Sequence, residues 1–169
     1  MGHSPWATGG AVAATMILLL TVTRPRDAPL LFPDSSGMQR PLPVGAAVPA
    51  LGSEGASAAR AIVFVRSDCA YCGQLQTGLL TRKPAPADQN VLFVTQPAPD
   101  STVSEERRQL ERRVAERFPV LVDSTMAVTT RYRAWMVPMA YLVGDGGRVA
   151  RVALGMQQSR QLIDGVIAR

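Results

Sequence analysis

The apolar positions of this chain fall into two kinds of pattern, short unbroken runs and helical stripes. Ala61-Ile62-Val63-Phe64-Val65 and Val91-Leu92-Phe93-Val94 are unbroken. Runs this short without alternation predict strands covered on both faces, as in a parallel sheet between helices. Residues 70–80 between them predict a helix, and Lys83-Pro84-Ala85-Pro86 breaks the chain after it. From 105 to 118 the pattern becomes a stripe. Leu110, Val114 and Phe118 recur at i, i+4 and i+8 among charges, and Pro119 stops the helix. Val120-Leu121-Val122-Asp123 is a short extended piece, and 128–134 reads as helical. Residues 139–143 and 149–153 are two further strand-like runs, joined through Asp145-Gly146-Gly147. Glycines accept the positive φ of tight turns, so this pair predicts a β-hairpin. Residues 158–168 close the chain with an amphipathic helix whose Leu162, Ile163, Val166 and Ile167 point inward.

Strand, helix, strand, helix, hairpin and helix, in that order, define an α/β domain. Parallel crossovers followed by an antiparallel hairpin imply a mixed central sheet with helices on both faces. No internal repeat is present.

An apolar segment over residues 7–23 stands apart from this pattern, densest at Met16-Ile17-Leu18-Leu19-Leu20. It just reaches the about 17 to 25 residues that a bilayer span needs. A cleaved signal would want a small-x-small site after the run, and Val22-Thr23-Arg24 does not supply one. A buried helix fits poorly too, because a tether follows rather than more domain. Pro25, Pro29, Pro33, Pro41 and Pro43 flank Asp34-Ser35-Ser36-Gly37 with no sustained apolar period. The expected organisation is a membrane anchor over 1–23, a Pro-rich linker over 24–43 and a globular domain over 44–169. Within that domain, 52–59 is a small-residue loop. Arg24 and Arg26 follow the apolar segment and no Lys or Arg precedes it, which by the positive-inside rule would leave the domain in the cytoplasm. Disulfide chemistry on a tether argues for the opposite side, so an extracytoplasmic domain is expected.

Charge adds little to this picture. The 169 residues carry a formal net charge of +5, nearly all from arginine, with Lys83 the only lysine. The densest stretch, Glu105-Glu106-Arg107-Arg108 through Glu116-Arg117, alternates in sign at helical spacing and reads as a solvated helix face. No nucleic-acid motif accompanies it, and no nucleic-acid partner is expected.

The candidate chemistry lies in the only two cysteines, in Ser67-Asp68-Cys69-Ala70-Tyr71-Cys72-Gly73, directly after the first apolar run. Two cysteines placed at random would fall three apart on the order of one time in a hundred, so the spacing asks for a chemical reason. A strand ending in Cys-x-x-Cys and opening a helix suits thiol–disulfide exchange. The first sulfur meets the unpaired N–H groups of the helix start, which stabilise a thiolate, and the second lies one turn on. A structural metal would need about four ligands, and the sole histidine, His3, lies in the N-terminal tail. Haem attachment would need histidine where Gly73 stands. An inert staple closing so short a loop would remove little unfolded-chain entropy. No metal and no cofactor are expected.

With Cys-x-x-Cys at the end of its first core strand, the chain resembles the thioredoxin fold, and within it the membrane-tethered TlpA/ResA-type redoxins. Val44-Gly45-Ala46-Ala47-Val48-Pro49 is similar to that branch's domain-opening segment, and Phe118-Pro119-Val120-Leu121-Val122-Asp123 to its short strand ending in Asp. Val137-Pro138-Met139-Ala140-Tyr141-Leu142-Val143, then Asp145-Gly146-Gly147-Arg148-Val149 and Gly155, resembles its cis-proline strand, hairpin and terminal glycine. The resemblance covers residues 44–169. It implies a thiol:disulfide oxidoreductase acting on protein substrates with an unidentified redox partner. Cys69 would be the nucleophile and Cys72 the resolving thiol, paired as a disulfide when oxidised. Pro138 would be cis and face the dithiol, with Val137 offering backbone hydrogen bonds to a bound peptide.

The departures narrow what the resemblance implies. Asp68 stands where many thioredoxins carry Trp, Val63 where thioredoxin has a buried acid, and Leu75 where cytochrome-maturation reductases have Glu. The proton relays of those relatives are therefore missing, and cytochrome c maturation is not implied. The Pro-x-x-x-Thr-x-x-Cys loop of peroxiredoxins is also missing. Ala70 and Tyr71 between the cysteines bring no positive charge, and Asp68 adds a like one. A weakly acidic Cys69 and a reducing couple are expected. Asp68 is expected chiefly as the helix N-cap. Tyr71 is either a substrate-touching aromatic or a plain helix residue. Trp135 and Met136 line the site or, by preference, pack beneath it, and the methionines at 126, 136 and 139 read as core filler. Two other classes remain open: a peptide-binding module without turnover, and a metal chaperone using both thiolates.

Overall fold

The computed structural model describes residues 40–51 and 59–168. The expected anchor, most of the linker and residues 52–58 of the small-residue loop lie outside the described residues. Among the described residues no helix is long and apolar enough to cross a membrane.

Five strands form one sheet: β1 (Ala61–Arg66), β2 (Val91–Gln96), β3 (Val120–Val122), β4 (Met139–Gly144) and β5 (Arg148–Leu154), in the order β3-β2-β1-β4-β5. β1, β2 and β3 run parallel, while β4 is antiparallel to β1 and β5 to β4. β1 is thus central, which is why its apolar run is unbroken: Ala61 through Val65 are all buried. The two-residue period divides these side chains between two cores. Ala61, Val63, Val65 and Phe93 face α1 (Ala70–Leu80), α2 (Glu105–Arg117) and α4 (Gly155–Ile167). Ile62, Phe64, Leu92 and Val94 face α3 (Ala127–Tyr132) and the segment holding Leu42, Ala46, Val48 and Leu51.

The hairpin turns through Gly146 at φ +79° and Gly147 at φ +66°, a backbone region that side chains resist. α4 begins at Gly155, three residues earlier than the apolar stripe predicts. Gln158 Oε1 reaches back to accept the Leu154 N–H at 3.2 Å, and Gly155 at φ +77° turns the chain from strand directly into helix. That first turn buries little, so it leaves no stripe to read. Two short 3-10 turns, Pro86–Asn90 and Asp100–Thr102, were likewise not apparent in the pattern.

The charged helix α2 is not solvated throughout, a correction to the reading of its charges. Ser104 Oγ caps it by accepting the Arg107 N–H at 3.2 Å, with Glu105 and Glu106 in the first turn. At its other end Arg117 turns inward. Arg117 Nε donates to Asp88 Oδ2 at 2.7 Å, with the two side chains only 9% and 2% exposed. Its remaining N–H groups donate to the carbonyls of Leu79, Arg82 and Lys83. One side chain therefore ties α2 to the end of α1 and to the Pro86–Asn90 turn.

Asp123 directly follows β3, and its carboxylate accepts the N–H groups of Val128 at 3.1 Å and Thr129 at 2.7 Å in the first turn of α3. Burial alone would raise its pKa, but hydrogen bonds from Thr129, Val128 and Ala127 outweigh it and hold the carboxyl below its ordinary value. A depressed folded-state pKa contributes stability that is present above the unfolded value, about pH 4. That stability is lost as pH falls through the lower folded value. Urea midpoints measured between pH 7 and pH 2 are expected to fall less steeply in acid for Asp123→Asn than for the wild type. Identical slopes would refute the assignment.

Candidate redox site

The β1 strand ends at Arg66, and α1 starts four residues later at Ala70, so the motif sits at the carboxyl end of the central strand. Cys69 is itself the helix N-cap, in extended conformation at φ −89° and ψ 113°. Its Sγ accepts the Cys72 N–H at 3.2 Å. A thiolate there would be stabilised by a helix-start N–H and by the helix dipole. Cys69 and Cys72 form a disulfide with their Cα atoms 5.2 Å apart. The two sulfurs have unlike surroundings. Cys72 is fully buried in the core beside Leu75 and Leu79, whereas Cys69 is partly exposed.

Asp68 does not cap α1, contrary to expectation. The helix starts one residue too late for that role, and the Asp68 carboxylate instead pairs with Arg66. The like charge beside Cys69 is therefore already matched by a cation two residues away.

The second half of the site comes from β4. Antiparallel pairing sets Phe64 opposite Met139, so the residues just before Met139 lie beside the end of β1. The Val137–Pro138 peptide is cis, and the Val137 carbonyl oxygen lies 3.8 Å from Cys69 Sγ. The Pro138 carbonyl accepts the Gly155 N–H at 2.8 Å, which joins this segment to the start of α4. Sixty-eight residues of sequence separate Cys69 from Val137, and the register of two strands brings them together.

Trp135 and Met136 do not pack beneath the site. They are 41% and 38% exposed, and Tyr71, between the two cysteines, is exposed as well. Of the three methionines read as filler, only Met139 is buried. A groove of about 670 Å³ runs between α1 and α2, lined among others by Cys69, Gly73, Thr77, Ser104, Arg107 and Leu110. Arg107 was missed by the sequence reading. It lies three residues before Leu110 and seven before Val114, so the helical period already placed it on the inner stripe. Among the described residues no group of three or more His, Cys, Asp or Glu is placed to hold a metal.

No family model matches this chain, and no curated protein matches its sequence. Solved structures do resemble it. A thioredoxin-like protein determined in solution in its oxidised form aligns over 75% of this chain and 98% of its own, with a TM-score of 0.53 and 17% identity. The thioredoxin domain of a thiol-disulfide oxidoreductase from Bacteroides vulgatus aligns over 75% of this chain and 99% of its own, with a TM-score of 0.52 and 16% identity. At such identities the likeness is one of fold. The chain has a thioredoxin-like α/β fold, and its cysteine pair forms a disulfide at the end of the central strand.

Proposed function

We propose that this protein is a thiol:disulfide oxidoreductase that reduces protein disulfides outside the cytoplasm, held at a membrane by residues 7–23. The unequal exposure of its two sulfurs carries this reading. A partly exposed Cys69 can meet a disulfide in another protein, while a fully buried Cys72 can meet only Cys69.

In the reduced protein the Cys69 thiolate attacks one sulfur of the substrate disulfide. An S–S bond forms between Cys69 and the substrate, and the other substrate sulfur leaves as a thiolate. Cys72 gives up its proton and attacks Cys69 Sγ, which closes the Cys69–Cys72 disulfide and expels the second substrate thiolate. Two electrons pass to the substrate, whose thiolates take up protons from solvent. A dithiol partner protein then restores the reduced form by the same exchange in reverse. The backbone of Val137 beside cis-Pro138 would bind the substrate as an extended strand. Tyr71, between the cysteines, and Trp135 and Met136, just before Val137, are exposed, and they favour an apolar, partly unfolded segment.

Two measurements test this. The reduced full-length protein should precipitate the insulin B chain by cutting its interchain disulfides, and no activity above a buffer blank would sink the enzymatic reading. The direction is read from the Cys69–Cys72 potential. With no cation between the cysteines, and only arginines of the neighbouring helix lining the groove beside the motif, it should lie nearer about −270 mV, as for thioredoxin, than about −120 mV, as for a strong oxidant. A value at the oxidising end would reverse the proposed direction.

A further inference from the structure

Arg107 belongs to α2, yet its guanidinium crosses to the end of β1. Arg107 Nη2 donates to the Arg66 carbonyl at 3.2 Å, and the same oxygen accepts the Cys69 N–H at 3.1 Å. A single acceptor thus joins α2 to the backbone of the nucleophile. Arg107 Nη1 lies over Gly73, one turn below Cys69, so close that a methyl group on Gly73 would overlap it. Glycine is what permits the approach. The Arg107 side chain is only 10% exposed, and Glu111 Oε1 lies 3.6 Å from its Nε. Burial lowers the Arg107 pKa while Glu111 and Asp68 oppose the shift, and a guanidinium stays charged throughout the physiological range.

Among the described residues, the charges beside the dithiol come from the β1–α1 turn and from α2. Arg66 and Asp68 at the β1–α1 turn pair with each other. Glu106, Arg107 and Arg113 on α2 line the groove beside Cys69, and Glu111 stands behind Arg107. α1 adds the phenol of Tyr71, and the Val137–Pro138 segment adds no charge. Arg107 is the cation in this set that is both largely buried and bonded to the turn carrying Cys69.

Building on the oxidoreductase reading, we propose that Arg107 is a positioning residue for the dithiol. It clamps the turn that presents Cys69 and supplies from α2 the fixed positive charge that the Ala70-Tyr71 pair lacks. A cation held near the helix start stabilises the thiolate over the thiol. The position of Gly73 is then explained by the seat it leaves for the guanidinium.

The test is the pH dependence of Cys69 alkylation by iodoacetamide in the reduced full-length protein in detergent micelles, read by mass spectrometry. Arg107→Gln should raise the apparent Cys69 pKa by about one unit, and Arg107→Lys should restore only part of it. Gly73→Ala keeps the arginine but crowds it off its seat, so it should shift the titration the same way. It also decides the matter if circular dichroism shows Arg107→Gln to be unfolded. Unchanged titrations in the folded variants would overturn the proposal. Insulin reduction by the wild type, measured alongside, keeps the two readings apart. An inactive wild type would defeat the oxidoreductase reading, while the Cys69 titration would still decide the role of Arg107.

Discussion

Cys69→Ser is expected to lower insulin reduction by on the order of a thousandfold or more, because a serine hydroxyl cannot replace a thiolate as the attacking group. The buried neighbour cannot take over. Cys72 is fully enclosed by the core, so a protein disulfide cannot approach it. Cys72→Ser should behave differently. Its Cys69 can still attack, but nothing resolves the mixed disulfide, so a covalent adduct with substrate accumulates and is visible on non-reducing gels. Equal adduct formation by both variants would contradict the assignment of roles. Activity that survives Cys69→Ser would remove the nucleophile altogether. The same pair of variants separates the two rival classes. A binding module without turnover keeps its affinity for peptide in Cys69→Ser, and a metal chaperone loses stoichiometric copper or zinc binding in Cys72→Ser.

The largest stability effect is expected far from the dithiol. Arg117→Ala leaves the Asp88 carboxylate buried without its counter-ion and removes the donors to three backbone carbonyls. Breaking one partner of a buried pair costs about 3–5 kcal/mol. At a urea slope of about 1–3 kcal/mol per M, the unfolding midpoint should fall by more than about 1 M. Arg117→Lys should recover little, since one ammonium cannot span Asp88 and three carbonyls in a fixed fork. Near-wild-type stability in Arg117→Ala would mean that the pair contributes nothing beyond what water replaces.

These two residue sets were not equally visible before the structure. The Cys-x-x-Cys spacing, the unbroken runs of β1 and β2 and the glycine turn of the hairpin are local patterns, and each corresponds to its element in the fold. Arg107 and Arg117 sit in a run whose alternating signs suggested solvent. The period of Leu110 and Val114 continues to both of them, at three residues before and three after. A stripe drawn by geometry rather than by hydrophobicity would have included them, and the acceptors they reach, the Arg66 carbonyl for Arg107 and Asp88 with three carbonyls for Arg117, come from other elements. Asp68 shows the reverse error. Its residue type suits a cap, but the helix starts at Ala70 and Arg66 holds the carboxylate.

By itself the sequence determined the α/β order of elements, the two-faced burial of the central strands and the position of the two thiols at a strand end. All of these follow from short-range periodicity and spacing, which one segment carries alone. The tertiary structure decided which sulfur is accessible, that Val137 stands beside Cys69, and that a buried guanidinium from α2 shares an acceptor with the nucleophile's backbone. Those facts depend on strand register and on helix packing across the sheet. No local pattern encodes them, because each arises only when segments distant in the chain are brought into contact.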